Sequence, residues 1–153
     1  MRGSLKIRRE DTLEYNHLER FFSEVHDMEK AHLLITDGIV IDYADYMDKE
    51  SMDKVYVQRI LTPYQLEKIL MGSDNNPHMI ILRSEVLETW SASALQSIQD
   101  ILSIKSGFYG CHVELCIVGR PGMYQMYLGK KSHSPVDVRS IEDEVPWAEA
   151  PLP

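Results

Sequence analysis

Four consecutive apolar residues, Met79-Ile80-Ile81-Leu82, follow the polar turn Ser73-Asp74-Asn75-Asn76-Pro77 and stop abruptly at Arg83-Ser84-Glu85. A short apolar run bounded in this way and followed by a helical pattern predicts a strand buried on both faces, as in the interior of a parallel sheet. Ligands of open α/β sheets bind beyond the carboxyl ends of the strands, so Arg83, Ser84 and Glu85 stand where chemistry is expected.

The remaining pattern supplies the partners of that strand. Leu5-Lys6-Ile7-Arg8-Arg9 alternates apolar and basic residues, as an edge strand does, and fits a disordered arm equally well. Asp11 or Thr12 would cap a helix whose Leu18, Phe21, Phe22, Val25 and Met28 recur at helical spacing and face the core. A second strand is predicted over His32-Leu33-Leu34-Ile35-Thr36, ended by Asp37-Gly38. The apolar burst Ile39-Val40-Ile41 then leads into an acidic, aromatic loop or short helix. Val55 to Ile60 has strand propensity and runs into Thr62-Pro63-Tyr64-Gln65, which carries an N-cap, a first-turn proline and a capping-box glutamine. Leu66, Ile69 and Leu70 form the buried stripe of the helix that starts there, with Gly72 expected as its C′ residue. A further helix is predicted from Ser93 to Ser106 with Gly107 beyond its end, then a buried strand from Val113 to Val118. Gly119-Arg120-Pro121-Gly122 breaks that strand, and Met123 to Leu128 offers a last one. Such alternation implies an α/β fold, a mostly parallel sheet flanked by helices.

After Gly129 the character changes. Lys130 and Lys131 open a segment with Asp137, Glu142, Asp143, Glu144, Glu149 and four prolines, too poor in apolar side chains to form a core. Residues 1–129 therefore read as a single domain and residues 130–153 as a disordered acidic tail. Within the tail, Trp147 has the chemistry of an anchor for a partner's pocket.

Composition narrows the function classes. The 153 residues are 44% hydrophobic and 26% charged, with a formal net charge of −8. That suits one compact domain and disfavours a generally basic nucleic-acid surface or attraction to an anionic membrane. No apolar run approaches a membrane span, and the N-terminus shows no signal-peptide pattern, so an intracellular protein is expected. Met1-Arg2-Gly3-Ser4 resembles, in part, an expression-vector remnant. Cys111 and Cys116 have opposite strand parity, which disfavours a shared metal and suits two small core residues. The carboxylates Asp37, Asp42, Asp45, Asp48 and Glu50 lack a calcium-loop pattern and read as a solvated face. No serine-nucleophile elbow, zinc-protease helix or dinucleotide fingerprint occurs. His112, Glu114 and Cys116 share one strand face, more simply an amphipathic face than an active site.

From residue 31 to residue 122 the order of elements resembles the core of the RecA/RadA recombinase superfamily. Thr36-Asp37-Gly38 stands where that family ends a strand in Thr-Glu-Gly with the catalytic glutamate, and the run Arg59 to Leu66 resembles the strand and helix that follow. Met79-Ile80-Ile81-Leu82 matches the Walker B strand, with Arg83 or Ser84 in place of the magnesium-assisting aspartate. Gly119-Arg120 follows the next strand where Asn-Gln is common. The chain has no G-x-x-x-x-G-K-[ST]. In its place Lys6 to Thr12 joins strand to helix without a glycine, and Glu10 and Asp11 would compete with phosphate for a helix N-terminus.

The resemblance implies a non-catalytic RecA-like subunit without nucleotide, metal or other cofactor. It would be a recombinase paralogue of the Shu-complex kind that pairs with another RecA-like protein as a scaffold or mediator in homologous recombination and DNA repair. Arg83, Arg120 and Trp147 are the expected partner contacts. Single-stranded DNA would be met through the complex, with Lys6, Arg8, Arg9, Lys130 and Lys131 as contacts. The implied location is the nucleus in a eukaryote and the cytoplasm in an archaeon or bacterium. Two alternatives remain open at this point: a RecA-like subunit of another assembly, such as an Elongator-type ring, and a small α/β enzyme using Asp37, Arg83, Glu85 and Arg120.

Overall fold

The computed structural model describes residues 3–10, 15–25, 27–36, 38–45, 48–119 and 142–146. Ser4–Glu10 (β1), Ala31–Thr36 (β2), Val55–Ile60 (β3), His78–Arg83 (β4) and His112–Val118 (β5) form a parallel sheet, to which Glu142–Pro146 (β6) adds one antiparallel strand. The spatial order is β3-β2-β4-β5-β1-β6. β4 lies between β2 and β5, and its Met79 to Leu82 are fully buried, as an apolar run inside a parallel sheet requires.

Helices cover both faces. Tyr15–Val25 (α1) lays Leu18, Phe21, Phe22 and Val25 over Leu33, Ile35, Met79, Ile81 and Cys116. Pro63–Gly72 (α3) and Ala92–Gly107 (α5) cover Leu34, Ile80, Leu82, Leu115 and Ile117 on the other face with Leu66, Leu70, Leu95, Ile98 and Leu102. Two four-residue helices, Lys49–Met52 (α2) and Ser84–Leu87 (α4), and a short 3-10 turn at Tyr43–Asp45 also occur among the described residues. Burying each large apolar side chain stabilises the fold by roughly 1.5–3 kcal/mol, so the two clusters supply the main driving force. Cys111 packs with the α3–α5 cluster and Cys116 with the α1 cluster, both as free thiols. No helix among the described residues is long and apolar enough to cross a membrane.

The start of α3 has the chemistry expected of it. Thr62 Oγ1 accepts from the Gln65 amide at 3.1 Å, and Gln65 Oε1 accepts from the Thr62 amide at 3.2 Å, closing the capping box. Its end differs from expectation. Gly72 is the last helical residue, and Ser73 follows it in extended conformation, so no left-handed C′ glycine ends the helix. Gly107 likewise belongs to α5, and Phe108 caps it by donating its amide to the Ile104 carbonyl.

Ile39 and Ile41 are buried against α1, but Val40 between them is 87% exposed and the segment forms no strand. β1 is not an edge strand, because β6 pairs with its outer side and places Glu144 opposite Lys6 and Glu142 opposite Arg8. Gly3 is closely packed, since a Cβ there would overlap the Ser106 and Cys111 carbonyl oxygens. The strand offered by Met123 to Leu128, and the tail apart from β6, lie outside the described residues.

Candidate functional site

The parallel strands end together at one edge of the sheet, bringing Glu10, Thr36, Arg83 and Val118-Gly119 into a row. Thr36 is fully buried, and its Oγ1 accepts the Arg83 amide at 2.9 Å, which ties the ends of β2 and β4 together. Arg59 on β3 donates through Nη1 to the Ile39 carbonyl at 2.7 Å and the Thr36 carbonyl at 3.4 Å, so the loop after β2 is pinned across the neighbouring strand.

Arg83 ends β4 and pairs through Nη2 with Glu85 Oε2 at 2.6 Å. Its guanidinium lies against Gly38, whose φ of +87° and lack of a side chain make room for it. Beside it, Ser84 is buried and its Oγ fits against Gly119, whose φ is +123°. At the end of β1 the Gly119 amide donates to the Glu10 carbonyl at 2.8 Å, closing β5 onto β1. The row is therefore filled by the chain's own side chains and closed by its own hydrogen bonds.

Next to this row, Arg8 pairs with Glu114 at 3.0 Å and with Glu10 at 3.5 Å, while Arg20 of α1 meets the other Glu114 oxygen at 3.2 Å. Arg8 is 3% exposed and Arg9 7%, so burial speaks against both as the expected DNA contacts, because neither guanidinium is presented to solvent where a phosphate would meet it. Lys6, on the same strand, is half-buried. The strand face of His112, Glu114 and Cys116 is divided among separate tasks. His112 Nδ1 meets Ser4 Oγ at 2.9 Å, Glu114 is held by two arginines, and burial pushes the Cys116 thiol well up, away from thiolate reactivity. Of the acidic residues, Asp48 caps α2 by accepting the Ser51 amide at 2.8 Å. No group able to hold a metal ion occurs among the described residues. Asp37, Arg120, Lys130, Lys131 and Trp147 lie outside the described residues.

The chain matches no protein-family model, and no curated protein matches it.

A second polar cluster, at the opposite edge, has no counterpart in the sequence reading. His32 is the second residue of β2 and His78 the first of β4, and His32 Nε2 binds Asp74 Oδ1 at 2.8 Å while Lys30 holds the other oxygen at 3.1 Å. Burial pushes the Asp74 carboxyl up, but bonds from His32, the Asn76 amide and Lys30 outweigh it and hold the group well below the usual carboxylate range. His78 Nδ1 lies 2.6 Å from the Asn76 carbonyl and Nε2 2.9 Å from Ser73 Oγ. The carbonyl can only accept, so Nδ1 carries a proton, and a neutral ring then accepts the Ser73 hydroxyl at Nε2. Burial, followed by His32 and Lys105, pulls its pKa down to about 3. Cys111 Sγ is 3.4 Å from His78 Nδ1, but burial pushes this thiol up to about 12. A base so weak beside a thiol so protonated makes no nucleophilic pair at neutral pH. The signal available in the sequence was a histidine at the head of each of two buried strands.

Proposed function

We propose that this chain is a non-catalytic, RecA-like subunit that acts by association, a scaffold or mediator in homologous recombination and DNA repair paired with another RecA-like protein. The observation that carries the proposal is the end of β4. Where the resemblance puts a magnesium-assisting aspartate, Arg83 stands, paired with Glu85 and laid against Gly38. A cation at that position repels magnesium instead of assisting it.

Three further features support it. The hydroxyl at the end of β2, that of Thr36, already accepts the Arg83 amide. Ser84 occupies the space that Gly119 leaves free. No glycine loop follows β1, so the chain lacks the cradle of backbone amides that phosphates need. Because Arg83 is already engaged by Glu85, a partner at this edge would meet the Arg83–Glu85 pair and not a lone guanidinium.

Calorimetric titration of the purified chain with ATP and magnesium tests the loss of nucleotide chemistry. Affinity purification from its native source tests the association. The expected results are no micromolar isotherm and co-purification of a RecA-like protein. A saturable micromolar isotherm would reject the first half, and a stable partner from another class of protein would reject the second.

A further inference from the structure

On the α3–α5 face, at the amino edge of the sheet, the last turns of the two helices bound a groove of about 410 Å3. Leu70, Met71, Ile101, Ile104 and Tyr109 make its wall apolar, yet Lys105 also lines it. The residue is 4% exposed. Its Nζ donates to the Ser73 carbonyl at 3.2 Å and to Asn75 Oδ1 at 3.4 Å, two neutral oxygens for a group with three N–H donors. Among the described residues it forms no ion pair. The nearby Asp74 carboxylate is already held by His32 and Lys30.

A buried ammonium without a counter-ion is costly, and a methionine would fill the same stem volume without that penalty. Consistent with this, burial pulls the Lys105 pKa down, with Cys111 and Asp74 pushing the other way. Pinning the loop after α3 accounts for two donors of the ammonium but not for its charge. Around the groove, large apolar side chains stand in water: Met71 is 74% exposed, Phe108 64% and Tyr109 57%, the two rings packed edge to face at 4.9 Å. Together these side chains offer more surface than a small inorganic anion covers.

We propose that this groove receives a segment of a partner protein carrying an Asp or Glu between large apolar residues, the carboxylate meeting Lys105 Nζ and its neighbours covering Met71, Phe108 and Tyr109. Such a contact completes the third donor of the ammonium and neutralises its charge away from water. The groove lies at the opposite edge of the sheet from Thr36 and Arg83, and the proposal does not depend on the RecA resemblance.

The test is an NMR titration of the full chain with the blocked tripeptides acetyl-Phe-Glu-Leu-amide and acetyl-Phe-Gln-Leu-amide. The Glu peptide should bind at least tenfold more tightly and move the amides of Ser73, Asn75, Lys105 and Tyr109. Lys105→Met, with its fold checked by the same spectrum, should abolish the difference between the two peptides. Equal affinities, no binding, shifts confined to other residues or a preference that survives Lys105→Met would each overturn the proposal. Binding of the Glu peptide only after Glu149→Gln would overturn the assignment to a partner, because the chain's own terminal segment would then hold the groove.

Discussion

His32 and His78 stack with ring centroids 4.3 Å apart and planes 23° from parallel, directly opposite each other at the heads of β2 and β4. Burial of His78 makes stability depend on pH. The His78 pKa falls from 6.5 to about 3 on folding, so between those values the unfolded chain takes up a proton that the folded chain refuses. Stability is therefore fully present above about pH 6.5 and is lost as pH falls toward 3, on the order of 1 kcal/mol per pH unit. The depressed Asp74 carboxyl acts in the same direction but only below its ordinary value of 3.8, so between pH 6.5 and 4 the histidine dominates. Denaturant melts at pH 7, 6, 5 and 4 should show this slope in the wild type and a flatter one in His78→Gln. Parallel slopes would remove His78 as the cause.

Gly38→Ala should cost about 1–2 kcal/mol, because φ there is +87° and the new methyl meets the Arg83 guanidinium. The guanidinium is the far end of a flexible side chain and can shift, so most of the loss should come from the backbone. In an Arg83→Ala background the loss should fall only slightly. Chemical denaturation of the four chains of this cycle gives the answer, and a loss that disappears with Arg83 would place the whole penalty in the overlap.

The local features of this fold were legible and the long-range ones were not. The capping box of α3 is written within four residues, and the burial of Met79 to Leu82 follows from their being consecutive and apolar. The position of β1 is not local. Its alternating Lys6, Ile7 and Arg8 read as an edge strand, but β5 and β6 enclose it, and the carboxylates of Glu114 and Glu10 supply the charge that makes burial of Arg8 tolerable. Lys105 was hidden for a similar reason. In the sequence it is an ordinary basic residue in the last turn of a helix, and only the loop from Ser73 to Asn75, about thirty residues earlier, closes over it.

Arg8→Ala should act on stability and not on DNA binding. Removing one partner of a buried ion pair costs about 3 kcal/mol, tempered here because Arg20 remains on Glu114. Single-stranded DNA should bind the isolated wild-type chain only weakly at physiological salt, given the net charge of −8, with Lys6, Lys130 and Lys131 as remaining candidates. Fluorescence anisotropy with a labelled oligonucleotide and a thermal melt, run on the same variant, separate the two effects. Loss of DNA binding without loss of stability would restore Arg8 as a contact.

The terminal segment is the last element to test. Deleting the residues after Leu128 removes β6 and leaves the outer side of β1 unpaired, while all five parallel strands and both apolar clusters remain. The truncated chain should therefore fold, melt at a lower temperature than the full chain and self-associate more readily through the open edge. It should also bind its partner more weakly, and Trp147→Ala in the full chain should reproduce about 2 kcal/mol of that loss, the size expected of an aromatic anchor. The two variants separate strand from anchor, because Trp147→Ala leaves Glu142–Pro146 unchanged in sequence. Partner capture and thermal melts of both are sufficient. Unchanged capture by the truncated chain would remove the segment from the interface, and an unfolded truncation would make β6 part of the domain that the sequence placed within residues 1–129.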